Sequence, residues 1–431
     1  MISEPPEGWR VLSSGERVAF AIFALTTAQV AFLCPYVAVI PGERANVFSG
    51  ILCLISLAGA VLTQRARLLR FPTSELVISL VLPILVCLSG CQSAIPQSSL
   101  FRGFVLVASG LGGFWCSRLL LATPSSQALF LRLSYLILVL LLLLSLLSCS
   151  ATGTFHAFLD GSQHPLFSRF VLLSFAPLTL FLREDRPRKV LALLFLGLIA
   201  LVLFLSRLRS AVLMPVLLGA VAYATGRMRW TYLLGLLVVA ALSLPCFFHF
   251  FPERKFGLTE EYEPVYYRIE NYPFSWHIAV RNPWFGNGLR SPRTHYLEKY
   301  QLKYPYVTRK SFRESTERTV VSENILLTFM ADLGFPFVIL YSASLLVLFV
   351  RLIGCVHHPP PAALIPPLAL LLPLTGAFFH FMIFDGLLHP QVCWFFHVIL
   401  GLIPMGISRT STVSVRGLGT STTPLNGATF R

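Results

Sequence analysis

The chain contains 431 residues, of which 55% are hydrophobic and only 12% are charged. Soluble globular domains carry about a quarter charged residues, so this composition excludes a soluble globular protein. The 34 Lys and Arg residues outnumber the 19 Asp and Glu residues and give a formal net charge of +15. Because no basic stripe accompanies it, this excess indicates orientation in a membrane rather than binding to nucleic acid.

Long apolar runs along the chain predict an all-α, polytopic integral membrane protein. A helix needs about 20 apolar residues to cross a hydrocarbon core ~30 Å thick. We predict about twelve transmembrane helices, near residues 18–40, 47–63, 74–90, 103–121, 129–147, 168–182, 190–206, 211–225, 231–251, 325–351, 362–382 and 391–407.

The short connections that are rich in Lys and Arg predict the orientation of these spans. Such connections favour the cytoplasm, and they all fall on one side of the predicted spans, at 64–70, 183–189, 227–229 and in the C-terminal tail. With a cytoplasmic N-terminus, the extracytoplasmic connections are 91–102, 148–167, 207–210, 252–322 and 383–390.

The same pattern divides the chain into four regions. We expect an N-terminal membrane domain of about nine helices at 1–251, one large extracytoplasmic loop at 252–322, C-terminal membrane helices at 323–407 and a tail at 408–431. The tail is rich in Ser, Thr and Gly, so burial cannot offset its ordering entropy and we expect it to be disordered. Unstructured loops as long as 252–322 are rare unless they are functional.

The loop 252–322 is rich in aromatic and basic side chains. It holds eight of the thirteen tyrosines, together with Trp276 and Trp284. Aromatic faces suit sugar rings, but an aromatic belt at the membrane interface has a similar composition, and the two interpretations remain equally open. Arginines in the loop indicate binding of an anionic group, because the guanidinium offers a planar fork of donors to phosphate oxygens. A solvated surface of mixed charge is the alternative.

Within this loop, Arg268, Tyr272 and Trp276 are spaced four residues apart. If the segment is helical, the three side chains share one face. We expect Pro273 to restart or kink that helix and Asn282-Pro283 to end it. Gly286 and Gly288 then supply the flexibility of a turn.

Arg207 and Arg209 lie in Ser206–Ser210, a very short connection that the topology places outside the cytoplasm. Their position opposes the positive-inside bias, so we expect an anionic partner there, and the phosphates of a lipid carrier would serve. Snorkelling of the two side chains to the interface is the alternative.

Glu323 and Asn324 stand where the long loop meets the next predicted span. A carboxylate at that boundary can act as a general base, or it can be a helix-start residue that the helix dipole favours. Farther along, His380, Asp385 and His389 are polar groups in or beside the last spans; we expect them to contribute to the cavity, although their spacing specifies no chemistry. No Cys or His spacing typical of a metal site is present.

Together these residues resemble the O-antigen ligase and polymerase superfamily over about residues 150 to 345. Thr152-Gly-Thr-Phe155 resembles the start of its extracytoplasmic loop before the middle spans, and Ser206-Arg207 resembles its Ser-Arg pair. The run from Arg268 through Tyr272 to Pro283-Trp-Phe-Gly-Asn-Gly288 resembles its Arg, aromatic, Pro-x-Phe-Gly-x-Gly layout. Glu323-Asn324, followed by Asp332-Leu-Gly334, resembles its His-Asn helix start, with Glu323 where the family usually has His.

The resemblance implies roles for the residues at these positions. Arg207 and Arg268 would bind the diphosphate of the carrier, and Glu323 would take the place of the histidine as catalytic base. Substrate-binding residues would be Arg209, Tyr272, Trp276, Gly286, Gly288 and Asn324. The family further implies an all-helical fold, a metal-independent reaction without a cofactor, and inversion at the transferred sugar.

We therefore predict a membrane glycosyltransferase in a bacterial inner membrane, acting in cell-surface polysaccharide or lipopolysaccharide biosynthesis. Its partners would be a polyprenyl-diphosphate-linked glycan donor, a hydroxyl acceptor on a glycan or glycolipid, and membrane lipid, with no nucleic acid. Two alternatives remain. One is a multispan transporter or flippase of lipid-linked glycans, and the other is an inactive family member, because Glu323 replaces the usual His.

Overall fold

The structure, a computed structural model, describes residues 12–32, 42–69, 71–152, 163–183, 186–205, 208, 210–250, 263–289, 324–360 and 364–404. Within these ranges the secondary structure is helical and contains no strand. We number the α-helices in chain order as α1 (Ser14–Ala31), α2 (Gly42–Leu68), α3 (Thr73–Cys91), α4 (Pro96–Leu120), α5 (Pro124–Thr152), α6 (Gln163–Leu173), α7 (Phe175–Arg183), α8 (Arg186–Leu205), α9 (Ser210–Ala224), α10 (Trp230–Phe250), α11 (Glu263–Arg281), α12 (Ile325–Leu333), α13 (Phe335–His357), α14 (Pro367–Phe381) and α15 (Pro390–Gly401). A 3-10 helix, Gly386–Leu388, precedes α15.

The helices confirm the predicted class, an all-α polytopic membrane protein. Seven helical segments of the described chain are long and apolar enough to cross a membrane. They lie in α2, α3, α4, α5, α6 with α7, α8 and α13. Shorter apolar helices lie in α9, α10, α14 and α15, so the predicted total of about twelve spans stays a prediction.

Two of the predicted spans are each divided into two helices. The span predicted at 325–351 is divided at Gly334 between α12 and α13, and the span at 168–182 is divided at Ser174 between α6 and α7. A proline lacks the N–H that would bond the carbonyl four residues earlier. Pro336 therefore leaves the carbonyl of Asp332 without that partner, and Pro177 does the same for Leu173, the last residue of α6.

The helix α11 lies inside the segment that we predicted as the large loop. It runs from Glu263 to Arg281 as one helix and continues through Pro273, which was expected to restart or kink it. Its end at Arg281 agrees with the prediction that Asn282-Pro283 stops it. Other parts of the predicted loop, residues 251–262 and 290–323, and the tail from 405 onward lie outside the described residues.

The centre of the protein is built around α4 and α15, which approach each other at glycines. A Cβ added to Gly113 would lie 2.8 Å from the carbonyl oxygen of Trp394, so the two backbones pack closely only because this residue is small. The Trp394 side chain is fully buried and donates from Nε1 to the Thr27 hydroxyl of α1 at 3.2 Å. The core thus ties the first and the last described helices together.

Basic side chains join several helix ends at one end of the protein. Arg183 donates to the carbonyl oxygen of Leu364 at 2.6 Å, and Arg227 donates to that of Val356. Arg351 forms an ion pair with Glu75 at 3.0 Å. Other contacts at this end join Arg118 to Glu75 and to the carbonyl of Ile403, and Arg67 to the carbonyl of Leu119. The connections predicted to be cytoplasmic from their charge therefore meet the same group of helix ends.

Candidate functional site

The Pro-x-Phe-Gly-x-Gly segment, residues 283–288, lies against the C-terminal end of α12. The Asp332 carbonyl oxygen, which Pro336 leaves without a helical partner, accepts hydrogen bonds from the backbone N–H groups of Asn287 at 3.1 Å and Gly288 at 2.8 Å. It also accepts from the Ser89 hydroxyl of α3 at 2.5 Å. Three chain segments far apart in sequence therefore meet at one carbonyl.

The side chain of Asn287 strengthens this contact. Its Nδ2 donates to the carbonyl oxygen of Ala331 at 2.8 Å, and its Oδ1 accepts from the Asn282 side chain. The backbone N–H of Phe335 also donates to the Pro283 carbonyl oxygen at 2.8 Å. Because Asn287 is buried, these bonds satisfy polar groups that water cannot reach, and they fix the segment on α12.

Gly286 and Gly288 are required by close approach as well as by backbone conformation. Their φ angles are +64° and +85°, in the left-handed region that favours glycine. A Cβ on Gly286 would lie 2.5 Å from the Asp332 carbonyl oxygen, and one on Gly288 would lie 2.5 Å from the Ser99 hydroxyl. The structure thus gives both glycines a packing role, and their contact with substrate stays a prediction.

Asn324 forms the N-cap of α12. Its side-chain oxygen accepts from the backbone N–H groups of Leu326 and Leu327, both at 3.1 Å, which satisfies two N–H groups without a partner in the first turn. Its Nδ2 donates to the carbonyl oxygen of Met382 at 3.2 Å, just after α14. In the middle of α12, Thr328 donates to Asp385 at 2.8 Å. This helix is therefore positioned at both ends and along its side.

The helix α11 packs one face against α12 and leaves another exposed. Asn271 and Ser275 are fully buried, whereas the side chain of Trp276 is 49% exposed and places its ring edge-to-face on Phe335 at 5.6 Å. Tyr272 is half-buried one turn earlier. Arg268 belongs to the same helix, at the predicted spacing of four residues, but its side chain is outside the described part of the structure.

Three of the predicted site residues lie outside the described residues, namely Arg207, Arg209 and Glu323. Only some of their neighbours are described. Leu208, between the two arginines, is buried, and Asn324 directly follows Glu323. The structure therefore brings together the segments that carry Tyr272, Trp276, Gly286, Gly288 and Asn324, whereas the roles of the three residues stay predictions.

A cavity of about 390 Å³ adjoins the Pro-x-Phe-Gly-x-Gly segment. Leu289, the residue after Gly288, lines it together with Asn46, Gln97, Ser98, Arg102 and Leu388. Sequence reasoning missed Arg102 as a site residue. The signal was present, because Arg102 is a basic residue in a connection that the topology places outside the cytoplasm, as Arg207 and Arg209 are.

A cluster of histidines lies beside the start of α6. His380 contacts both the His164 ring, with 3.2 Å between their nitrogens, and the Ser168 hydroxyl at 2.9 Å. The Phe384 ring stacks between His164 and His389, with ring centroids 4.7 and 5.2 Å apart. The Phe384 ring thus contacts both His380 and His389. Asp385 is the next residue in the chain, and this is the region where we predicted polar groups. Among the described residues, no group of three or more side chains is placed to hold a metal ion.

Residues 190–342 match the family model described as "O-Antigen ligase". The matched range contains all the site residues predicted from the sequence, from Arg207 to Asn324, and it also includes Asp332 and Gly334. No curated protein matches the chain significantly. The family match confirms the predicted resemblance to the O-antigen ligase and polymerase superfamily.

Proposed function

Because residues 190–342 match the O-antigen ligase family model, we propose that this protein is a membrane glycosyltransferase of the O-antigen ligase and polymerase type. It transfers a glycan from a polyprenyl-diphosphate carrier to a hydroxyl group in cell-surface polysaccharide or lipopolysaccharide. The supporting observation is that segment 283–288 of this range is fixed by hydrogen bonds on α12, the helix that begins directly after Glu323 and Asn324. The site lies on the extracytoplasmic side of a bacterial inner membrane.

The proposed reaction replaces one bond at the anomeric carbon of the donor sugar. The acceptor hydroxyl attacks this carbon, the bond to the carrier phosphate breaks, and the polyprenyl diphosphate leaves with the bonding electrons. Attack from the opposite face inverts the anomeric configuration. Glu323 accepts the proton of the acceptor hydroxyl as general base. The diphosphate carrier already activates the sugar, so the reaction needs no nucleotide or metal.

Arg207 and Arg268 bind the diphosphate in this proposal. A planar guanidinium can donate two parallel hydrogen bonds to phosphate oxygens, and the developing charge of the leaving diphosphate strengthens them in the transition state. Arg209, Tyr272 and Trp276 contact the donor or acceptor nearby. The exposed Trp276 ring offers a face for stacking on a sugar.

The test is a transfer assay with purified protein, a lipid-linked oligosaccharide and candidate acceptors. Hydrogen bonds to charged groups contribute about 1.5 to 3 kcal/mol, so Arg207→Ala and Arg268→Ala are each expected to lower transfer about tenfold or more. Lys should restore activity poorly because it lacks the planar fork. Transfer is measured as the amount of glycan on the acceptor after separation from the carrier.

Arg281→Ala is the matched control, because Arg281 is exposed at the end of the same helix that carries Arg268. It removes an arginine that lies thirteen residues after Arg268 on α11, about 20 Å along the helix, and transfer should stay near the wild-type level. Unchanged transfer in both Arg207→Ala and Arg268→Ala, with normal membrane insertion, would refute the diphosphate role. Absence of transfer to any acceptor by the wild-type protein would count against the enzyme itself.

A further inference from the structure

Three adjoining cavities follow α4 from one end to the other. The first is the cavity of about 390 Å³ beside Leu289. The second, about 50 Å³, shares Leu106 with the first. The third, about 290 Å³, shares Leu82, Leu111, Tyr341 and His397 with the second. We call this series the α4 passage.

One face of α4 provides the wall along the whole series. Arg102 and Leu106 line the first cavity, Leu106 and Gly110 the second, and Phe114 the third. These four residues are spaced by four, so they lie one above the other on the helix. Phe114 is twelve residues beyond Arg102, so at a rise of 1.5 Å per residue the two are about 18 Å apart along the helix.

The helices α3 and α4 touch at one point and both line the second cavity. At Gly103, a Cβ would lie 2.6 Å from the Val86 side chain, so the two helices touch there. One turn below Val86, Pro83 lines the second cavity, and Gly110 faces it from α4 without a side chain. The opposite wall comes from α13 and α15, through Phe337, Tyr341 and His397.

The chemistry of the α4 passage changes from a polar mouth to an apolar interior. Asn46, Gln97, Ser98 and Arg102 surround the mouth. Deeper in the passage the lining is mainly apolar, although the third cavity also borders Glu75 and Arg351, which form an ion pair at 3.0 Å. Tyr341 and His397 are 3.2 Å apart, and His397 also bonds the Cys393 carbonyl at 2.8 Å. The third cavity borders the exposed Val347 side chain, so an apolar chain inside can continue into the lipid.

We propose that the α4 passage holds the isoprenoid chain of the lipid carrier, with the carrier diphosphate at the Arg102 end. The inference rests on the proposed function, because the mouth is continuous through Leu289 with the 283–288 segment of the range that matches the ligase family. A cationic group at the mouth complements a diphosphate, and the apolar interior favours a long hydrocarbon over water. Arg102 is then a further binding residue for the donor, separate from Arg207 and Arg268.

The first experiment locates the chain of a bound carrier. The full-length protein in phospholipid vesicles is incubated with a polyprenyl diphosphate that carries a diazirine in its isoprenoid chain, and the cross-linked peptides are identified after irradiation. Label is expected on α3, α4, α13 and α15, and excess unlabelled polyprenyl diphosphate should remove it. Label confined to other helices would overturn the proposal, as would equal competition by added phospholipid, which would identify an ordinary acyl chain in the passage.

The second experiment blocks the passage with Gly110→Leu. A Cβ at Gly110 has only ordinary contacts, 3.5 Å to His397 and 3.6 Å to Cys393, so the longer side chain projects into the second cavity. Label on these helices should fall tenfold or more. Gly197→Leu is the matched control, because a Cβ there meets nothing within 4 Å, and its label should equal that of the wild type. Undiminished label in folded Gly110→Leu would contradict the proposal.

The label map separates this inference from the proposed function. Cross-linking requires binding but no transfer, and the wild-type map alone decides the case if Gly110→Leu fails to fold. Suppose that the four helices are labelled, that unlabelled polyprenyl diphosphate removes the label, and that no acceptor receives a glycan. This result would support the passage and count against the transferase. Normal transfer with label confined elsewhere would support the transferase and overturn the passage.

Discussion

Gly288 has a left-handed backbone conformation, with φ at +85°, and lies close to the connection between α3 and α4 and to the first turn of α4. A Cβ would lie 2.7 Å from the Ser93 hydroxyl and 2.5 Å from the Ser99 hydroxyl. We expect Gly288→Ala to add about 1–2 kcal/mol of backbone strain and about 1–3 kcal/mol of overpacking. The free energy of unfolding measured in detergent should fall by the sum of the two, and the transfer rate should fall as well.

Gly226→Ala isolates the first of these two effects. Gly226 also has a left-handed backbone, with φ at +68°, but a Cβ there meets nothing within 4 Å. Gly226→Ala should lower the free energy of unfolding only by the backbone strain, about 1–2 kcal/mol. Its transfer activity should be unchanged. Equal destabilisation by the two variants would show that close packing at Gly288 contributes nothing.

The sequence predicted a turn at Gly286 and Gly288 but not the reason for each glycine. Pro283 and the helix-ending Asn282 are local signals, and local signals are sufficient to predict a turn. The contacts with Asp332 and Ser99 depend on residues that are distant in the chain, and no local pattern encodes them. For the same reason, the capping contacts of Asn324 were predictable as a helix start, whereas its bond to the Met382 carbonyl was not.

At the scale of the elements, the start of α12 is the best place to test the proposed base. Asn324 is the N-cap, and Glu323 immediately precedes it. As general base, Glu323 should contribute about 10²-fold or more to the rate, and Glu323→Gln removes this while keeping the shape. If Glu323 only interacts favourably with the helix dipole, it contributes under ~1 kcal/mol to stability. In that case Glu323→Gln should leave the transfer rate nearly unchanged.

Transfer by Glu323→Gln at saturating acceptor decides between these two roles. Glu323→His is the companion variant, since an imidazole also accepts a proton, and we expect it to keep partial activity. Near-normal turnover in Glu323→Gln would leave the reaction without an identified base. It would favour the alternative of an inactive family member only if the wild-type protein also failed to transfer.

The boundaries of the elements followed from the sequence where apolar runs were bounded by charge, and they failed at Ser174 and Gly334, where the structure divides a run into two helices. Hydropathy treats 325–351 as one span because Gly334 and Pro336 barely change its apolar content. The structure divides it because Pro336 cannot bond the Asp332 carbonyl and Gly334 has φ at +86°. That division lets the Asp332 carbonyl accept hydrogen bonds from the 283–288 segment, so the failed boundary lies at the candidate site.

At the scale of the whole molecule, the charge pattern and the contacts agree on two groups of helix ends. Arg183, Arg227 and Arg351 bond Leu364, Val356 and Glu75 at one end. Ser89, Gly288, Asp332 and the cavity beside Arg102 gather at the other end. The sequence predicted these groups because the four short basic connections all follow even-numbered predicted spans and so fall on one side. The packing between the spans depended on side-chain shape and was not predictable.

The predicted orientation places 183–189 in the cytoplasm and 252–322 outside it, and cysteine labelling can test it. The nine native cysteines are first replaced, because Cys87 and Cys91 are exposed on α3 and would give background. A cysteine at Thr308 should then react with a membrane-impermeant maleimide added outside the inner membrane. A cysteine at Asp185 should react only after the membrane is opened. This result is expected because guanidinium groups favour the cytoplasmic side. Reaction of Asp185→Cys in intact membranes would instead show that the orientation is the reverse. The proposed site would then lie in the cytoplasm, where a donor in the outer leaflet could not reach it.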